Sequence, residues 1–93
     1  MEVLRKMVKE FTFVFSVRSD AVAFSRRLSA SSVKNALKST PSGIARCCSL
    51  SVFVGEREVQ AAVRVLNSGS YRSLTGVYEV IYDGLSIKTR RIR

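Results

Sequence analysis

Histidine is absent from these 93 residues, cysteine occurs twice, proline once, and seven acidic residues face sixteen lysines and arginines. Without histidine, general base work would fall to Asp20, Asp83 or a glutamate. By position these are a helix cap, a turn residue and solvated charges at a helix start, so an enzyme of the acid-base type is the weakest expectation. The two thiols, Cys47 and Cys48, are adjacent. Neighbours in a strand point to opposite faces, so this pair cannot staple distant parts of a fold, and two soft ligands fall short of the four that a structural zinc site needs. No metal and no cofactor are expected, and free thiols suit a reducing, cytoplasmic location.

Long hydrophobic runs are missing as well. The apolar stretches at 11–17 and 50–54 are far shorter than the roughly 18 residues that cross a bilayer as a helix. The stretch after the first cations is broken by Thr12 and Ser16, so neither a membrane partner nor a signal peptide is expected. Acid is scarce, and the formal net charge is +9. Seven of the cations fall near the two ends: Arg5, Lys6 and Lys9, then Lys88, Arg90, Arg91 and Arg93. Such ends attract polyanions, or serve solubility alone.

Apolar residues, 46% of the chain, suffice for one packed core. Phe11, Phe13 and Phe15 alternate with Thr12, Val14 and Ser16, the period of a strand with one packed face. Ser19 and Asp20 offer caps to a helix over 20–29, whose Ala21, Phe24 and Leu28 share a face. Residues 33–39 alternate weakly and predict an edge strand. Thr40-Pro41-Ser42-Gly43 is the strongest turn signal, and 48–54 follows as a strand with Leu50, Val52 and Val54 on one side. Gly55 breaks it. Glu56 and Glu58 then suit a helix start, Val59, Ala62, Val63 and Leu66 make a helical apolar stripe, and Gly69 closes it. A last strand is predicted over 77–82, then a turn at Asp83-Gly84 and, over 85–87, a short edge strand before the basic tail.

Two strand, helix, strand halves predict an α+β, ferredoxin-like βαββαβ two-layer sandwich with both helices on one face of an antiparallel sheet. The expected organisation is a basic extension over 1–10, one domain over 11–84 and a basic tail over 85–93.

The residues with chemical potential gather in the connection before the third strand. Ser42 and Gly43 can present a hydroxyl and backbone amides, and Arg46 precedes the two thiols. A nearby cation lowers a thiol's pKa by favouring the thiolate, the form that attacks and carries sulfur. Against this stands the packing role usual for free cysteine. If the Leu50 face is the core, Cys48 points inward and Cys47 outward, unless a β-bulge exchanges them.

Segment 13–80 resembles the family of small proteins described as selenium/sulfur carrier-like. The likeness rests on Ser16-Val17-Arg18-Ser19-Asp20-Ala21 at the helix start, Ser39-Thr40-Pro41-Ser42-Gly43-Ile44 in the loop, Cys48-Ser49-Leu50 at the thiol and Gly76-Val77-Tyr78-Glu79-Val80 in the closing strand. It implies a sulfur or selenium carrier with Cys48 as the carrier cysteine, Cys47 as a second thiol, and a protein donor or acceptor as partner. Ser49 stands where the family has glycine, and Cys47 is an extra thiol.

Two alternatives use other features. A basic RNA-binding module of this fold would draw on Lys88, Arg90, Arg91 and Arg93 for phosphates and on tyrosines for stacking, with Phe53 and the aromatics of 11–15 as fragments of the paired-aromatic pattern of its central strands. A structural domain would use the free face of its sheet to pair with a second copy.

Overall fold

The computed structural model of the chain describes residues 7–41, 44, 50–69, 71–84 and 86–93. The elements are β1 (Met7–Phe15), α1 (Arg18–Ala30), β2 (Ala36–Ser39), β3 (Leu50–Gly55), a 3₁₀ turn (Glu56–Glu58), α2 (Val59–Ser68), β4 (Leu74–Asp83) and β5 (Ser86–Arg91). All strand pairings are antiparallel, in the order β2-β3-β1-β4-β5. The class is α+β, as expected. The six-element ferredoxin-like order is not matched, because β5 adds a seventh element and a fifth strand beside β4. Lys88, Arg90 and Arg91, expected in a tail, are strand residues, and Lys9, expected in an extension, lies inside β1.

Alternation along β1 decides the core. Phe13 and Phe15 are fully buried and meet Phe24 of α1, with ring centroids 5.1 and 5.6 Å apart. Ala21 and Leu28 of α1, Ala62 and Leu66 of α2, Val52 and Val54 of β3 and Val77 of β4 complete one cluster. Both helices therefore cover the same face of the sheet. Burying each large apolar side chain contributes about 1.5–3 kcal/mol, and the tilted phenyl contacts add to that.

The other face is less open than the sequence suggests. Thr12, Val14, Ser51, Phe53 and Val80 are all buried there. The Lys38 ammonium lies 4.3 Å from the Phe53 ring centroid. Thr12 Oγ1 is buried without a hydrogen-bond partner among the described residues.

Local chemistry shapes the helix ends differently from expectation. The α1 N-cap is Val17, with no side-chain cap bond, so neither Ser19 nor Asp20 caps this helix. At its other end Ser32 takes a left-handed φ of 61°. There the Ser32 amide donates to the Ser29 carbonyl (3.0 Å) and the Val33 amide to Leu28 (2.8 Å), a Schellman closure built without glycine. Gly69 follows α2 as predicted but is extended, with φ −120°. A Cβ there would come within 2.6 Å of the Tyr71 ring and 2.9 Å of an Arg27 nitrogen, so any other residue would have to displace these side chains.

A candidate thiol site at one end of the sheet

Strand register brings three connections to the same sheet end. Phe15 at the end of β1 pairs with Leu50 on one side and Leu74 on the other, and Ser39 at the end of β2 pairs with Leu50. The β1–α1, β2–β3 and α2–β4 connections therefore leave the sheet side by side. The β2–β3 connection holds Ser42, Gly43, Arg46, Cys47 and Cys48. All five lie outside the described residues, as does the question of which sulfur faces inward.

The two margins of that connection are described. Thr40 Oγ1 shares a hydrogen bond with Ser51 Oγ on the sheet face away from the helices. The Ile44 amide donates to the Pro41 carbonyl (2.9 Å), an i to i+3 bond that starts one position after the expected Thr40–Gly43 turn. Leu50, half-buried, packs against the core cluster. The stem is thus a regular ladder, Ser39 opposite Leu50 and Lys38 opposite Ser51.

Beside it the other two connections are bound to each other. Ser73 Oγ donates to Asp20 Oδ2 (2.7 Å), its amide reaches the same oxygen (3.3 Å), and its carbonyl accepts from the Ser16 amide (2.9 Å) and Ser16 Oγ (3.4 Å). Ser16 and Asp20, both in the helix-start motif, thus fasten the start of α1 to the α2–β4 connection. Tyr71 of that connection packs edge-on against Phe15 and Phe24, at 6.0 and 5.4 Å. Sequence reading missed Ser73 and Tyr71. Their role arises from contacts across more than forty positions of chain, and no local pattern signals it.

From the start of α1 an open hollow of about 720 Å³ runs along its outer side, lined by Arg18, Ser19, Val22, Ala23 and Arg26. Near the opposite sheet end lies a smaller one of about 270 Å³, lined by Glu10, Lys34, Asn35, Ala36, Phe53, Gly55 and Glu58. The arginines give the first hollow positive walls; the second mixes both signs.

The residues named for phosphate contact are dispersed. Arg90 Nη2 is 3.0 Å from Glu79 Oε1, and Lys9 Nζ lies 3.3 Å from Glu79 Oε2. Arg91 donates to the carbonyls of Arg93 (2.9 Å) and Thr75 (3.0 Å). In β5, Lys88 and Arg90 belong to one sheet face and Arg91 to the other, and Arg93 follows the strand. Phe13 and Phe15 lie under the helices and Phe53 is buried, so these rings present no stacking platform.

No helix among the described residues is long and apolar enough to cross a membrane. No curated protein and no solved structure matches the chain. One family model does, over residues 10–79, a span that runs from β1 into β4 and encloses both cysteines. The chain accordingly belongs to the family described as "Putative Se/S carrier protein-like".

Proposed function

We propose that this chain carries sulfur or selenium at the level of a persulfide, with Cys48 as the accepting thiol. Family membership over residues 10–79 is the observation that carries this reading. The stem of the β2–β3 connection supports it. A ladder closed at Ser39 and Leu50, next to two connections fastened through Ser73, is a fixed base from which a loop can present a thiol to another protein.

In the proposed step the Cys48 thiolate attacks the outer sulfur of a donor persulfide. A new S–S bond forms at Cys48, the donor's S–S bond breaks, and the donor leaves as a thiolate with the electron pair. Transfer onward repeats the exchange with an acceptor thiolate, and Cys48 is regenerated. Arg46 favours the thiolate by its charge, and Ser42 and Gly43 supply a hydroxyl and an amide to the anion. Cys47 serves as the resolving thiol: its thiolate attacks the outer sulfur of the Cys48 persulfide, the S–S bond at Cys48 breaks with Cys48 leaving as thiolate, and the sulfur passes to Cys47. Donor and acceptor are proteins, and a reducing compartment such as the cytoplasm keeps both thiols free.

The test is intact-mass spectrometry after incubation with a cysteine desulfurase and free cysteine. One added sulfur atom is expected on the wild type and on Cys47→Ser, and none on Cys48→Ser. A wild-type protein that gains no sulfur on either thiol would overturn the reading.

A further inference from the structure

The β5 edge carries an observation independent of the thiols. Its six residues pair with β4 without a register shift from Tyr78 opposite Arg91 to Asp83 opposite Ser86, and all six are exposed. The Ile92 amide donates to the Val77 carbonyl (2.8 Å). In an antiparallel ladder bonded pairs recur every second residue. The pairs turned toward β4 are therefore at Arg90, Lys88 and Ser86, and the backbone amides and carbonyls of Ile87, Thr89 and Arg91 point away from the sheet. Such a row is a template for one more strand.

Side chains decide which strand fits. Lys88 and Arg90 are two residues apart on the helix-bearing face, Ile87 is 63% exposed on the other, and β5 contains no acid. A second copy pairing through the same edge would set these cations against their like, which is unfavourable for directly opposed residues. An acidic strand meets opposite charge on one face and an apolar contact at Ile87 on the other. Nucleic acid gains from the charge but cannot continue a backbone ladder. We propose that the β5 edge receives an extended acidic segment of a partner protein, with carboxylates at alternate positions facing Lys88 and Arg90 and an apolar side chain beside Ile87. The edge lies beyond the family match, which stops at Glu79.

The experiment uses the full chain, labelled with ¹⁵N, and an end-blocked synthetic ten-residue peptide of alternating glutamate and valine. Slower hydrogen exchange is expected at the Ile87, Thr89 and Arg91 amides, with binding about fivefold weaker for Lys88→Glu. A peptide N-methylated at the residues that face the edge should not bind, a control that leaves the protein unchanged. Unaltered exchange at those three amides, equal binding of the methylated peptide, tighter binding of an oligonucleotide of equal charge, or self-association that protects the same amides without peptide would each overturn the proposal.

Discussion

Tyr82 shows how one side chain couples the sheet face to pH. It lies opposite Val8 on β1, one bonded pair from Glu10, on the face away from the helices. Burial pushes its hydroxyl pKa up from 10.0, and the Glu10 carboxylate adds to this by its charge and by accepting the hydroxyl's hydrogen bond. A phenol whose folded pKa is raised holds its proton more tightly in the native state. Its contribution is complete below the ordinary value near 10 and is lost as pH rises through the folded value. The wild type should therefore lose stability relative to Tyr82→Phe as pH climbs past 10, with a constant difference from neutral pH to about 9. Urea unfolding of both proteins across that range checks the sign; a difference that stays flat above pH 10 would refute it.

Among the elements, β5 depends on electrostatics more than the others do, because its side chains bury almost nothing. Besides the ladder with β4 and the Arg91 bond to the Thr75 carbonyl, it is held by the Glu79 carboxylate, whose side chain is 8% exposed between Lys9 and Arg90. Glu79→Gln keeps the shape and removes the charge. The bereft cations are 35% and 72% exposed and can regain water. The loss should then be about 1–2 kcal/mol, below the roughly 3–5 kcal/mol seen when a fully buried pair is broken. Glu56, 66% exposed and 3.7 Å from Lys9, is the contrast; Glu56→Gln should move stability by less than about 0.5 kcal/mol. Urea midpoints measure both, and hydrogen exchange at β5 should quicken in Glu79→Gln alone.

At the scale of the whole molecule the charge is the dominant imbalance: +9 on a body of 47 × 30 × 19 Å. In 0.01 M salt the screening length, about 30 Å, spans most of that body, whereas at 0.15 M it is about 8 Å. Repulsion between distant cations is then screened, while contacts of 3 to 4 Å such as Lys9 to Glu79 largely survive. The melting temperature should rise between these salt concentrations by several degrees, since ~1 kcal/mol moves a domain of this size by about 4–8 °C. A fall would mean that local ion pairs outweigh the net repulsion.

Local spacing by itself determined the strand with Phe13 and Phe15 inward, the apolar stripe of α2 and a turn near Pro41, because period and turn chemistry act over a few residues. Only the tertiary structure decided the rest. The sequence marks only a short edge strand over 85–87; that β5 runs on through Arg91 comes from its pairing with β4. Asp20 has the composition of a cap, yet its carboxylate serves Ser73, 53 positions away. Thr12 and Phe53 are buried on a face that alternation alone leaves free. Each of these depends on what the folded chain brings alongside, and a linear pattern does not encode contacts made at long range.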